Sequence, residues 1–219
     1  MKKLLFVGAE VMPFAATGGL GDVLGSLPSA IIEASGGETD VRVVMPLYRS
    51  VSESWRSQMK KEFEGEVTLS WRRQYCGVYK CANGGVTYYF VDNEYYFKRE
   101  SIYGDFDDAE RFAFFARAIL ECSPVIDFKP DIIHCNDWQT ALTPLYYSTI
   151  YANQPGYENI KTVLTIHNIQ YQGVYGKEIL TDVLGFGEEH FSLLEYDGCV
   201  NFMKGGIECA NKVTTVSPS

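Results

Sequence analysis

The sequence predicts an α/β fold, a Rossmann-like, doubly wound parallel sheet with an inserted antiparallel β segment. Short apolar runs bounded by turn residues recur at 4–9, 41–45, 131–135, 163–167 and 213–216, the signature of strands buried on both faces. Helical patterns fall between them at 20–35, 109–122 and 138–150, and strands alternating with helices specify β/α units. Residues 67–93 break the rhythm with alternating, β-branched character around an Asn83-Gly84-Gly85 turn. That segment reads as antiparallel strands inserted between β/α units.

Taken in order, the apolar run "LLFVGAE", which holds the first strand at 4–9, is followed almost at once by "PFAATGGLGDVLG". The helix at 20–35 carries apolar residues at 20, 23, 24, 27 and 31, which fall on one face at helical spacing. "AERFAFFARAILEC" forms the helix at 109–122, and Trp138 opens the helix that follows the strand at 131–135. The last strand runs into Ser-Pro-Ser at 217–219, a helix-start signal. The expectation is one domain over residues 1–219, the first part of a longer protein.

At 219 residues and 46% hydrophobic, the chain is long enough to bury a sizeable core. The net charge is −9, and no basic run exceeds a pair such as Lys60-Lys61 or Arg72-Arg73. Nucleic acid is therefore excluded as a partner, because phosphate neutralisation needs clustered cations. The six cysteines form no CxxC and no zinc spacing, so they read as reduced thiols, several buried as small hydrophobes. No apolar stretch approaches a membrane span and no signal peptide precedes the first strand, which predicts a soluble, reducing compartment. The many tyrosines and phenylalanines read first as packing groups.

In an open α/β sheet, ligands bind beyond the carboxyl ends of the strands. Three segments fall there. The glycine loop is neither a Walker A nor a GxGxxG fingerprint. Its Gly18 and Gly19 serve either to bring backbone N–H groups to an anion at a helix start or only to permit a tight turn. In "HCNDWQT", Asp137 is a helix cap or a catalytic carboxylate, and Trp138 is core or ligand contact. In "IHNIQYQG", His167 is a functional group or a satisfied structural one; His134 reads as structural and His190 as surface. Asp105, Asp107 and Asp108 lack the pattern of a calcium loop, and no metal site is apparent.

The ordered segments "EVMPFAATGGLGDVLGSLP", "DIIHCNDWQTAL", "TIHNIQYQG" and "NFMKGGIECANKVTTVSPS" strongly resemble the N-terminal half of bacterial glycogen synthases and plant starch synthases, the family 5 glycosyltransferases. The resemblance covers essentially the whole chain. It implies one half of a GT-B architecture, in which residues 1–219 form the acceptor-side domain and the C-terminal nucleotide-binding domain is absent. It also implies retaining transfer of glucose from ADP-glucose to the non-reducing end of an α-1,4-glucan, with no metal or other cofactor, in the bacterial cytoplasm rather than a plastid stroma.

By the same resemblance, Thr17, Gly18, Gly19, Asp22 and Asn168 belong to the donor pocket, and Asp137 and His167 to the reaction centre. Trp138, Tyr171 and Gln172 shape the acceptor side. One position departs from the family: where its loop has a donor-contacting lysine, this chain has Ala16. Loss of a charge-assisted hydrogen bond of roughly 1.5–3 kcal/mol predicts donor or transition-state binding weakened about ten- to a hundredfold. The absent domain predicts that the isolated chain turns over nothing measurable. Ala16 also supports a second reading, a non-catalytic glucan-binding or regulatory homologue. A third, a sucrose- or trehalose-type enzyme, fits "HNIQYQG" and "NFMKGG" poorly.

Overall fold

Leu5, Phe6 and Val7 are buried because β1 (Lys2–Val7) runs through the middle of the main sheet. The computed structural model describes residues 1–216, so the helix start expected at 217–219 lies outside the described residues. From β1 the chain passes through α1 (Gly19–Ala34), β2 (Thr39–Pro46) and the single turn α2 (Glu53–Arg56). It continues through β3 (Lys60–Leu69), β4 (Arg72–Asn83), β5 (Val86–Asp92), α3 (Glu94–Phe97) and α4 (Asp108–Cys122). Next come β6 (Ile132–Asn136), α5 (Leu142–Tyr146) and β7 (Lys161–Ile166). The remainder is β8 (Val174–Tyr175), α6 (Ile179–Asp182), α7 (Phe191–Leu194), β9 (Glu195–Tyr196), β10 (Cys199–Asn201), α8 (Phe202–Cys209) and β11 (Lys212–Thr215).

The main sheet has the order β11-β7-β6-β1-β2-β5-β4-β3, with every pair from β11 to β5 parallel. The chain builds outward from β1 in one direction through β2 and β5, then returns to β1's other edge with β6. Right-handed crossovers place the connections of the two halves on opposite faces. The loops therefore part between β1 and β6, which makes this the topological switch point.

The five predicted parallel strands are all present, within a few residues of their expected ends. The insertion differs. It begins at Lys60 rather than 67, and β5 is a member of the parallel sheet through β2, so only β3 and β4 are antiparallel additions at the edge. The β4–β5 turn is made by Gly84 and Gly85 with φ of 57° and 81°, the paired positive values of a two-residue hairpin.

The helix expected at 138–150 is broken into a 3₁₀ turn (Trp138–Thr140), α5, and a π turn (Tyr147–Tyr151). Thr140 Oγ1 is held by the N–H and C=O of Asn136, and Pro144 offers no N–H, so the regular ladder starts only at Leu142. A second sheet, β8-β10-β9, escapes a sequence reading because its strands are two or three residues long.

On α4, Phe112, Phe114 and Phe115 are fully buried and fill the core. All six cysteines are free; Cys76, Cys81, Cys122 and Cys135 are buried, and Cys199 and Cys209 half-buried. His134 is structural, stacked on Phe6 at 4.5 Å and 2.6 Å from Thr165 Oγ1. His190 is half-buried rather than on the open surface, its ring 4.8 Å from Phe186.

Gly21 and Gly25 allow α1 to lie directly on the loop before it. A Cβ at Gly21 would stand 2.3 Å from that of Ala16, and one at Gly25 would stand 2.8 Å from the backbone oxygen of Met12. Neither contact has a flexible side-chain end that can yield. Gly25→Ala is expected to destabilise the protein by about 1–3 kcal/mol through overpacking, read as a lower urea midpoint at unchanged m-value.

Candidate functional site

A cavity of about 850 Å³ opens beyond the carboxyl ends of β1, β6 and β7, at the switch point. Its wall comprises Glu10 after β1, Thr17, Gly18, Gly19, Leu20 and Val23 of the loop and first turn of α1, Asp137 to Gln139 after β6, and His167 and Asn168 after β7. Tyr103, Gly104 and Asp108, from the segment leading into α4, close one side, with Tyr171 and Val216 at the margin.

The glycine loop is held by Glu10, which is 5% exposed. Its Oε2 accepts the N–H of Thr17 and, at 3.0 Å, that of Gly18; Oε1 accepts the hydroxyls of Thr17 at 3.0 Å and Tyr103 at 2.7 Å. A fully bonded carboxylate thus takes the amides of Thr17 and Gly18, the latter one of the two expected to meet a ligand anion. That expectation is corrected for Gly18, and Gly19 remains as the loop glycine for the role. A Cβ at either Gly18 or Gly19 would meet nothing within 4 Å, so these glycines keep space open beside the helix N-terminus, where backbone amides and the helix dipole favour an anion.

Asp137 follows β6 with φ 58° and ψ −177°, a region that costs a non-glycine residue about 1–3 kcal/mol. Its N–H bonds to Thr165 O at 3.0 Å, and its Oδ1 accepts the amides of His167 at 2.7 Å and Asn168 at 3.2 Å. Oδ2 has no partner among the described residues. Burial holds the Asp137 carboxyl above its usual range, opposed by those amides and by His167, while the negative charge of Glu10 adds to the rise.

His167 Nε2 lies 2.9 Å from Asn136 Oδ1. The amide nitrogen of Asn136 donates to the carbonyls of Val7 at 3.0 Å and His134 at 3.2 Å, which fixes Oδ1 as the acceptor. His167 therefore carries its proton on Nε2 and leaves Nδ1 as an acceptor. Burial lowers its pKa, opposed by Asp137, and favours the neutral ring.

The family model of the starch synthase catalytic domain matches residues 3–219. The chain belongs to this family. A glycogen synthase of Anoxybacillus flavithermus is 50% identical over 219 residues, 99% of this chain and 45% of that protein. One from Bacillus subtilis is 47% identical with the same coverage. The catalytic domain of starch synthase IV from Arabidopsis thaliana bound to ADP and acarbose superposes with a TM-score of 0.86 at 29% identity, over 99% of this chain and 45% of that one. The chain thus spans less than half the length of the relatives it matches.

Within this starch synthase fold, Thr17, Gly18, Gly19, Asp137, Trp138, His167, Asn168 and Tyr171 all reach the one cavity. Asp22 does not. It is exposed on the first turn of α1 and is absent from the cavity wall, because the buried face of that turn belongs to Gly21 and Leu24. Ala16 also stands outside the wall, half-buried over Gly21. Gln172 belongs to a second cavity of about 480 Å³, which shares Trp138 and Tyr171 with the first and adds Tyr196, Asp197 and Cys199. Trp138 is 8% exposed and packs on Phe112 at 5.2 Å, so it is both core and the partition between the two cavities.

Sequence reasoning missed Glu10, Tyr103, Asp108 and Gln139. Glu10 had a readable signal, an ionisable residue at a strand's carboxyl end; Tyr103 and Asp108 reach the cavity from a segment that follows no predicted strand. Among the described residues, no group of three or more His, Cys, Asp or Glu is placed to hold a metal ion.

Glu10→Ala is expected to raise amide exchange at Thr17 and Gly18 about ten- to a hundredfold, measured by hydrogen-deuterium exchange of the peptide containing them. A second expectation concerns pH. Burial lowers the pKa of His167, and that of His134 falls from its ordinary 6.5 to about 4. Between these values the unfolded chain binds protons that the folded one does not. This stability is complete above pH 6.5 and is lost as pH falls toward 4. The urea midpoint should drop across that window, and less steeply in His134→Gln.

Proposed function

We propose that the protein is a retaining glucosyltransferase that moves glucose from ADP-glucose to the non-reducing end of an α-1,4-glucan, with residues 1–219 as its acceptor-side domain. The remaining length of the relatives would supply the nucleotide-binding domain. The observation that carries the reading is the convergence of the glycine loop, Asp137, His167 and Asn168 on one cavity in a chain of this family. The Arabidopsis relative's structure with ADP and acarbose supports a nucleotide-and-sugar chemistry. We assign the reaction no metal or other cofactor, and place it in the bacterial cytoplasm on the strength of the bacterial relatives.

In this mechanism the donor's diphosphate lies at the N-terminus of α1, against the Gly19 N–H, with its glucose in the cavity. As the bond to the diphosphate lengthens, positive charge develops on the sugar ring. The Asp137 carboxylate, with Oδ2 open, stabilises that charge from a fixed position and with little water to screen it. Neutral His167 accepts a sugar hydroxyl at Nδ1, and Asn168 stands beside it. The glucan enters from the second cavity across Trp138, Tyr171 and Gln172, flat and amphipathic surfaces suited to sugar rings.

Ala16 bears on the rate. The main cavity contains Glu10, Asp108 and Asp137 but no lysine or arginine among the described residues. The lysine implied by the family resemblance would be the nearest cation to the leaving diphosphate. The test is ADP release and glucan elongation by the full-length protein, with the 219-residue chain as control. The native protein is expected to be active, Ala16→Lys about ten- to a hundredfold more so, and the short chain silent. Asp137→Asn should reduce elongation by about a hundredfold or more. Silence in native and Ala16→Lys proteins, with glucan still bound, would replace this reading by a glucan-binding role.

A further inference from the structure

The small sheet β8-β10-β9 turns one face to the core and the other to the second cavity. In an antiparallel pair, residues directly opposite one another share a face, and the face alternates along each strand. Tyr196 of β9 stands opposite Cys199 of β10, and Val174 of β8 stands opposite Asn201, so these four side chains fall on one face. Tyr196, Cys199 and Val174 all line the cavity of about 480 Å³. The reverse face carries Tyr175 and Val200, which pack inward, Tyr175 on Phe202 at 5.0 Å and Val200 fully buried. Register thus turns the Tyr196 side chain to the cavity.

The backbone beneath this wall is fixed on both sides. Gln172 Nε2 donates to the carbonyl of Ile169 at 3.0 Å, and its Oε1 accepts the side-chain amide of Asn201 at 2.7 Å. Both halves of the Gln172 amide are committed, and they set the loop that carries Tyr171 against the sheet. On the other side, Asp197 and Gly198 have φ of 53° and 76°, the paired positive values of a two-residue hairpin turn. Tyr171 and Tyr196 are 62% and 61% exposed, so neither ring is spent on the core. The frame holds both at one cavity.

The lining contains no lysine or arginine among the described residues and one carboxylate, that of Asp197, so it repels a diphosphate. Two phenols with the amide of Gln170, beside the apolar surfaces of Trp138, Val174 and Cys199, suit a neutral, polyhydroxylated chain. The cavity adjoins the main one at Trp138 and Tyr171, which line both, whereas Tyr196 lines the second alone. We propose that Tyr196 is a specificity-determining residue that binds the glucan at glucose units behind its reacting end, and so makes the enzyme prefer long acceptors. The proposal rests on the glucosyl-transfer reading and deepens it by naming the part of the acceptor that is recognised.

The experiment uses the full-length protein and a series of α-1,4-linked acceptors from maltose to maltoheptaose. The native kcat/KM is expected to rise by about tenfold or more along the series. Tyr196→Ala should flatten that rise, chiefly through KM for the longer acceptors, while Tyr196→Phe, which keeps the ring, should retain most of it. A native enzyme indifferent to acceptor length, an undiminished rise in Tyr196→Ala, or an equal loss with every acceptor overturns the proposal. If Tyr196→Ala fails to fold, Tyr196→Gln decides on the same criterion. A native protein that transfers glucose to no acceptor sinks the glucosyl-transfer reading instead. Tyr196 is then judged by calorimetry with maltoheptaose against maltose: a gain in affinity with length that Tyr196→Ala loses supports it, and an equal gain in both proteins, or none in either, overturns it.

Discussion

The carboxylate of Asp137, bonded through one oxygen to the amides of His167 and Asn168, joins the end of β6 to the end of β7. Much of the cavity depends on that link. It offsets the unusual backbone of Asp137, sets the direction in which the chain leaves β7, and leaves the remaining carboxylate oxygen without a partner among the described residues. Asn136, one residue earlier, does the same for the imidazole of His167 by bonding back to β1. Three adjacent strands thereby fix a charged group and a neutral one side by side before any ligand arrives, which is the preorganisation on which electrostatic catalysis relies.

The parallel sheet was legible because burial on both faces writes an unbroken apolar run, and five such runs sit where β1, β2, β6, β7 and β11 are found. The candidate residues on the three strand ends followed from the rule that ligands bind beyond the carboxyl ends of such strands, whereas strand order, and with it the switch point, came only with the structure. What resisted reading was non-local. Tyr103 is brought to Glu10 across 93 positions of sequence, and no local pattern announces such a bond. Asp22 shows what a motif alone leaves out: Gly19, Leu20 and Val23 beside it line the cavity, and helical periodicity turns Asp22 to solvent. The broken helix after Trp138 was hidden because Thr140 bonds to the preceding strand in preference to continuing a regular ladder.

The distribution of charge around the cavity is unequal. Glu10 is satisfied entirely by neutral donors, Asp108 is paired with buried Arg111, and Asp137 is held by backbone amides. Each carboxylate is thus stabilised from behind, and none requires a cation inside the cavity. A binding chamber built this way is stable when empty, yet it offers an incoming anion little beyond the end of α1.

The contact of Ala16 with Gly21 has a consequence for descent. At position 16 the helix meets only a methyl group, and the loop's hydrogen bonds run through Glu10 and the main chain. Whatever lies beyond that methyl is free to change without disturbing the architecture. Selection for folding therefore does not guard this position, and a single codon change can separate chemical competence from shape. Copies of such a protein can drift in activity while retaining the same outline and the same relatives.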